Sequence, residues 1–135
     1  MRVVALDYGS ARCGVAVSDP TGTLATPRDA VLRPASKKGF AALKAAIAAL
    51  EAERVVVGLP LSLSGSDSAQ TIEVREFAAR LARAIPIPVE LYDERFTTSL
   101  AARVGGSTSL DSRAAATLLD EWLNLPMKEG TPPPH

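Results

Sequence analysis

The sequence predicts an α/β domain with a mixed five-stranded sheet and helices on its faces. Three strand-like segments come first and are separated only by turns, which is typical of an antiparallel meander. Two further strand-like segments alternate with helical patterns, as parallel strands joined by crossover helices do. The 135 residues suffice for one such domain. The predicted order of elements is βββαβαβαα.

The first three strands are predicted from short apolar runs and the turns between them. Residues 2–7 (RVVALD) and 13–19 (CGVAVSD) form a hairpin around the turn sequence YGSAR, with Val15 and Val17 on one face. Residues 23–32 (TLATPRDAVL) are a weaker candidate, in which Pro27 suits a sheet edge or a bulge. Three sequential antiparallel strands are therefore expected.

The next segments predict a helix and a buried central strand. Residues 36–52 carry an apolar stripe at helical spacing, and the remaining residues are mostly alanine with four charged residues outside the stripe. The stripe consists of Phe40, Leu43, Ile47 and Leu50, and the charged residues are Lys37, Lys38, Lys44 and Glu51. Residues 54–60 (RVVVGLP) are apolar almost throughout, as expected for a strand covered on both faces. The polar segment 61–70 is predicted to be a loop.

The last part of the domain is predicted to contain three helices and one strand. A helix with Val74, Phe77, Ala78, Leu81 and Ile85 inward precedes the strand 89–94 (VELYDE). Residues 97–104 (TTSLAARV) form a short helix, and residues 110–123 form a final one. The inward residues of the final helix are Ala115, Leu118, Leu119 and Trp122. The domain is expected to span residues 1–125, with residues 126–135 as a disordered tail.

Composition excludes several classes of protein. The single cysteine, Cys13, cannot form an internal disulfide, and no cysteine and histidine cluster exists to bind zinc, since the one histidine, His135, ends the chain. The formal net charge is zero, so nucleic-acid binding would need a local patch. No apolar run is long enough to span a membrane, and the N-terminus lacks a signal-peptide core. A cytosolic protein is expected.

Three acids occupy comparable positions at the ends of elements. Asp7 ends the first strand, Glu94 ends the fifth, and Asp111 begins the last helix. If strands one, four and five are parallel neighbours, these acids meet at one edge of the sheet. Clustered carboxylates are the ligands that Mg²⁺ or Mn²⁺ prefers, and two such ions would support phosphodiester cleavage.

Structural alternatives exist for each acid. Asp7 could bind its own turn, Asp111 could cap the last helix, and Glu94 could form a surface pair with Arg95. Spacing alone also leaves other acids that could replace one of the three ligands. These are Asp19, Asp93, Asp120 and Glu121.

Four motifs together resemble the YqgF/RuvX family over nearly the whole chain. They are LDYGSARCGVAVSD at 6–19, VVGLPLSLSGSDS at 56–68, YDERFTT at 92–98 and LDSRAAATLLDEWL at 110–123. The resemblance implies a ribonuclease H-like fold and a metal-dependent nuclease that processes the 5′ end of precursor 16S ribosomal RNA. Resolution of Holliday junctions in DNA is the alternative activity.

The resemblance also implies roles for particular residues. Asp7, Glu94 and Asp111 would be the metal-binding acids. Gly9, Arg12, Thr97 and Thr98 would shape or line the site. Arg95 would reach phosphate or pair with Asp93 or Glu94, and Ser64, Gly65 and Ser66 would contact substrate or merely form a flexible loop.

The chain departs from the family pattern in its basic residues. Segment 99–110 has one basic residue, Arg103, where relatives often carry several. Either Arg12, Arg95 and Arg113 grip phosphate instead, or affinity is low and depends on a partner such as a ribosomal particle. A non-catalytic ribosome-assembly factor is therefore a further alternative. The chain could be a monomer or, for junction resolution, a homodimer.

Overall fold

The computed structural model describes residues 1–60, 68–93 and 110–124, and of residues 110 and 111 the backbone alone. It contains a five-stranded sheet in the order β3-β2-β1-β4-β5. The strands are β1 (Val3–Tyr8), β2 (Arg12–Ser18), β3 (Ala25–Leu32), β4 (Arg54–Leu59) and β5 (Val89–Asp93). β1 and β3 pair antiparallel with β2, whereas β4 pairs parallel with β1 and β5. The predicted mixed sheet is confirmed.

Three helices are described, α1 (Lys37–Ala49), α2 (Ala69–Ala84) and α3 (Leu110–Leu123). α1 and α2 cover one face of the sheet, where Val4, Leu6 and Tyr8 of β1 are buried. α3 covers the other face, where Val3 and Ala5 of β1 are buried with three residues of the helix. Those three are Ala115, Leu118 and Leu119, as predicted. The short helix predicted at 97–104 lies outside the described residues.

Several predicted boundaries are wrong by a few residues, and local contacts explain four of them. β1 continues to Tyr8 because Tyr8 still pairs with Cys13 of β2. β3 begins at Ala25 rather than at residue 23, because the Asp19 carboxylate binds the backbone N–H groups of Thr23 and Leu24 in the preceding turn.

The helix boundaries also differ from the prediction at 36–52 and in the loop 61–70. α1 starts after Ser36, whose Oγ accepts the Gly39 N–H at 3.0 Å. α2 begins inside the predicted loop, because Ser68 and Thr71 form a reciprocal cap.

The connection between β3 and α1 is tight. A side chain at Gly39 would collide with the backbone carbonyl groups of Leu32 and Arg33, so this corner requires glycine. Arg33 itself adopts a positive φ of 45°. The start of α1 is therefore held directly against the end of β3.

β3 is an edge strand, as Pro27 indicated. Pro27 pairs with Ala16, and the register between β2 and β3 shifts between Cys13 and Val15. Proline and a bulge are features of sheet edges.

No helix in the described part of the chain is long and apolar enough to cross a membrane.

Candidate functional site

Asp7 lies at the carboxyl end of β1 on the face that α3 covers. Its neighbours Leu6 and Tyr8 face α1 and α2, and strand alternation turns Asp7 the other way. Leu6, Val57 and Leu91 form one row across the three parallel strands. The next residues along these strands are Asp7, Gly58 and Tyr92, so no side chain stands between Asp7 and Tyr92.

The first turn of α3 is anchored beside Asp7. Gly14 is the partner of Asp7 on β2, and the next residue, Val15, donates its N–H to Ser112 Oγ at 3.2 Å. Ser112 is completely buried. The backbone of Asp111 adjoins this anchor, so the topology brings the predicted acids Asp7 and Asp111 to one place in the fold.

Sequence reasoning missed Ser112, although a signal was present. Ser112 lies three residues before Ala115 and therefore shares the inward helix face with Ala115, Leu118 and Leu119. A hydroxyl at an apolar position of a helix indicates a buried hydrogen-bond partner.

The other face fixes the end of β1 through Tyr8. The Tyr8 hydroxyl donates to Glu73 Oε2 at 2.7 Å, and its ring lies 4.4 Å from that of Phe77, centroid to centroid. Burial and then the bond to Glu73 raise the pKa of Tyr8 to about 12. Tyr8 therefore stays a neutral donor at physiological pH and ties the strand to α2. This contact was also missed from the sequence.

The turn after β1 depends on Gly9. A Cβ atom there would approach the Arg12 carbonyl oxygen to 2.8 Å, too close for any side chain without movement of the turn. Arg12 is exposed and begins β2, opposite Leu32 of β3.

Most of the other predicted site residues lie outside the described residues. These are Glu94, Arg95, Thr97, Thr98, Ser64, Gly65 and Ser66, and the side chain of Asp111 is also outside. Within the described residues, no group of three His, Cys, Asp or Glu side chains could hold a metal ion. Asp7 lies within the described residues, whereas Glu94 and the Asp111 carboxylate lie outside them.

Two alternative readings of individual acids are wrong. Asp19 follows the end of β2 and so lies at the opposite end of the sheet from Asp7, where its Oδ1 accepts the Thr23 and Leu24 N–H groups at 2.8 and 3.0 Å. Asp111 is not the cap of α3, since the helix already begins at Leu110. An acid within the first turn of a helix is still favoured by the helix dipole.

The remaining alternative acids differ in position from the predicted ligands Asp7 and Asp111. Asp120 and Glu121 are two to three turns further along α3 than Asp111, a distance of about 14 Å or more at 1.5 Å per residue. Asp93 alternates with Tyr92 on β5, and Tyr92 packs on the α3 face. Strand alternation therefore turns Asp93 to the face opposite Asp7.

Two further features lie on the α3 side of the sheet, one at Tyr92 and one at Arg113. The pKa of Tyr92 is raised by burial, and further by the carboxylates of Glu121 and Asp93. In the first turn of α3, the Nε and Nη1 atoms of Arg113 are buried and have no hydrogen-bond partner within the described part of the protein. Two unsatisfied guanidinium donors suit an anionic ligand.

The described residues place one carboxylate at this edge, that of Asp7. Asp7 supplies carboxylate oxygen, which Mg²⁺ and Mn²⁺ prefer. The one thiol of the chain, Cys13, is buried on the α1 and α2 face and does not share the face of Asp7. The described residues at this edge therefore offer an oxygen ligand and no thiolate.

A family model described as "RuvX: Holliday junction resolvase" matches residues 1–125. This chain belongs to the RuvX family. A relative from Nocardioides sp., named "Putative pre-16S rRNA nuclease", is 43% identical, and the alignment covers 96% of this chain and 92% of the relative. RuvX relatives of the same name from Koribacter versatilis and Nitratidesulfovibrio vulgaris are 48% and 38% identical, over 76% and 98% of this chain and 67% and 99% of theirs.

A solved structure confirms the predicted ribonuclease H-like fold of this RuvX protein. The Thermus thermophilus RuvC structure in complex with a Holliday junction substrate superposes with a TM-score of 0.56. The match covers 91% of this chain and 93% of RuvC, at 17% identity. At that identity the likeness concerns the fold alone.

Proposed function

We propose that this protein is a metal-dependent endonuclease that processes the 5′ end of precursor 16S ribosomal RNA. The observation that carries the proposal is the Asp7 carboxylate at the end of β1, beside the anchored first turn of α3 that contains Asp111. Membership of the RuvX family and the names of the curated relatives support the substrate.

Asp7, Glu94 and Asp111 are the proposed ligands of Mg²⁺ or Mn²⁺, with two ions when substrate is bound. Glu94 is preferred over its neighbour Asp93, because strand alternation turns Asp93 to the opposite face of the sheet from Asp7. When bound, the ions would supply Lewis-acid chemistry to a phosphodiester and its attacking water.

The protein's own residues position these ligands and the substrate. Ser112 holds the turn that bears Asp111, and the Tyr8 bond to Glu73 holds the strand that bears Asp7. Both anchors act before substrate arrives, so the carboxylates need little rearrangement to bind. The unsatisfied guanidinium donors of Arg113 suit phosphate oxygens.

Further substrate contacts are proposed from the family resemblance. They come from Arg12, Arg95, Thr97, Thr98, Ser64 and Gly65. The proposal also includes a single catalytic domain at residues 1–125 and a tail at 126–135. The protein would act in the cytoplasm and contact a ribosomal particle.

Resolution of Holliday junctions in DNA is the second candidate. The description of the matching family names that activity, and the RuvC structure with a similar fold contains a junction. The same cluster of acids can cut RNA and DNA, so the substrate must be determined by experiment.

The deciding experiment compares Asp7→Asn with the parent protein. Each protein is incubated with a labelled 5′ fragment of precursor 16S ribosomal RNA or a four-way DNA junction, in Mn²⁺, Mg²⁺ or chelator. The Asp7 carboxylate is expected to contribute several kcal/mol of transition-state stabilisation through the metal. Its loss should therefore lower the cleavage rate by about 1,000-fold or more. Asp19→Asn is the matched control, because it makes the same chemical change at the opposite end of the sheet.

The outcomes separate the alternatives. Metal-dependent cutting by the parent and by Asp19→Asn supports a nuclease, and the preferred substrate decides between RNA processing and junction resolution. Equal cutting by Asp7→Asn would refute the site. A folded parent that cuts neither substrate, and whose melting temperature does not rise with Mn²⁺ or Mg²⁺, would support a non-catalytic assembly factor instead.

A further inference from the structure

Four exposed basic residues gather at the end of the sheet where β1 ends. We call Arg12, Arg33, Lys37 and Lys38 the basic corner. Arg12 pairs with Leu32, the last residue of β3, and the Arg33 N–H donates to the Ala11 carbonyl at 2.9 Å. Lys37 and Lys38 then begin α1. The fold thus unites cations from two separate segments of the chain.

The basic corner adjoins the end of β1 that contains Asp7. Tyr8, the residue after Asp7, pairs with Cys13, the residue after Arg12. From there the corner extends across β2 to β3, about 10 Å from the strand of Asp7 at the usual spacing of strands. The close contact of Gly39 with the end of β3 fixes the two lysines at this end of the sheet.

The two lysines stand where the helix itself disfavours them. The amino end of a helix carries partial positive charge and favours acids, but the first turn of α1 contains no acid and two lysines. α2 follows the usual rule, since its Arg83 lies in the last turn. Within the described residues, no carboxylate forms an ion pair with Arg33, Lys37 or Lys38. The lysines therefore do not serve the local stability of α1.

We propose that the basic corner binds the phosphodiester backbone of the nucleic-acid substrate beyond the cleavage site. The proposal rests on the proposed nuclease function and specifies the path of the substrate. Exposed cations in one patch bind successive phosphates without reading sequence. The patch also accounts for nucleic-acid binding by a chain whose net charge is zero.

The test measures binding separately from cleavage. In the Asp7→Asn background, which is expected to bind without cutting, Lys37→Gln/Lys38→Gln is compared with Arg83→Glu. Both changes lower the net charge by two units, but Arg83 lies at the end of α2 that precedes β5, away from the basic corner. Fluorescence anisotropy with the labelled RNA fragment, across a salt series, gives the affinity and its salt dependence.

The lysine variant is expected to bind about tenfold more weakly. The slope of log Kd against log salt concentration should fall by about 1.4–1.8, since each lost phosphate contact contributes roughly 0.7–0.9. Its melting temperature should stay the same or rise, because two cations have left the helix amino end. Arg83→Glu should change the affinity less than twofold.

Three results would overturn the proposal. They are an unchanged affinity and slope in the lysine variant, an equal loss in Arg83→Glu, and a parent that binds no nucleic acid. The last result would point to an acidic protein surface as the partner of the corner. If the parent fails to cut RNA or DNA but the lysine pair still controls binding, the nuclease proposal fails and the basic corner stands.

Discussion

The two ends of the central sheet use charged residues in different ways. At the end opposite Asp7, Glu90 Oε1 contacts Arg54 Nη1 at 2.6 Å, and Glu90 Oε2 accepts the Trp122 Nε1–H at 3.0 Å. These bonds join β4, β5 and α3. In the turn after β2 at this end, hydrogen bonds from Thr23 and Leu24 satisfy the Asp19 carboxylate.

The charged residues at the end of the sheet that contains Asp7 are placed differently. Two lysines oppose the dipole of α1. Backbone strain does not distinguish the two ends, because Arg33 at this end and Glu51 at the other both adopt a positive φ. A charge that serves folding finds its partner within the chain, whereas a charge that serves a ligand need not. The placement of the two lysines is therefore consistent with the proposed function of the Asp7 end.

The largest stability effect is expected at the opposite end, from Glu90→Ala. The change leaves the Arg54 guanidinium, whose side chain is 9% exposed, without its carboxylate and removes the acceptor of Trp122. Loss of a partner from such a pair predicts about 2–3 kcal/mol lower stability, measured as the urea midpoint at constant m-value.

Leu91→Ala, on the same strand but partly exposed, is the control and should cost less. Cleavage per folded molecule should not change in Glu90→Ala. A normal urea midpoint together with impaired cleavage would break the division between the two ends.

Ser112→Ala sharpens the comparison at the Asp7 end. It leaves the buried Val15 N–H without its acceptor and should cost about 1–2 kcal/mol. Because the first turn of α3 loses its anchor, cleavage per folded molecule should fall as well. Urea unfolding and a single-turnover cleavage assay measure the two effects.

Thr117→Ala provides the matched control for Ser112→Ala. Its hydroxyl donates to the Arg113 carbonyl within the same helix at 3.0 Å. A control that slowed cleavage as much as Ser112→Ala would show that α3 acts as a whole, not through its first turn.

The smallest effect concerns acid stability and Asp19. Hydrogen bonds from Thr21, Leu24 and Thr23 hold the pKa of the Asp19 carboxyl well below its usual range. The folded state thus resists protonation while the unfolded state binds a proton near pH 4, so this contribution is present above about pH 4 and is lost as pH falls below it. Asp19→Asn should flatten the dependence of stability on pH between about pH 4 and 2.

Asp29→Asn, at an exposed carboxyl of β3, is the comparison for Asp19→Asn. Melting temperatures between pH 2 and 7 measure both variants. If the melting temperature of Asp19→Asn falls below pH 4 as steeply as that of the parent, the stability of the turn does not depend on the charge of Asp19.

The sequence predicted the sheet because its determinants are local. Short apolar runs identify β1, β2 and β4, and the alternation of the later strands with helical stripes indicates which strands are parallel. The position of Asp7 at the edge of the sheet follows from those patterns. The hairpin alone also excludes Asp19, because antiparallel strands place the end of β1 and the end of β2 at opposite ends of the sheet.

The contacts that build the site could not be predicted in the same way. The Ser112 bond joins residues 97 positions apart, and the Tyr8 bond to Glu73 joins residues 65 positions apart. The basic corner needs the end of β3 to lie beside the start of β2. Such proximity depends on how the whole sheet and its helices pack, which a hydrophobic pattern does not encode.

The irregular β3 edge limits how copies of this protein can associate. Pro27 offers no N–H to an approaching strand, the shifted register next to it interrupts the ladder, and Arg28 and Asp29 are exposed. Such features disfavour the extension of a sheet by a neighbouring chain and the strand-mediated aggregation that can follow. A dimer that used this side would therefore form through side chains and not through backbone pairing.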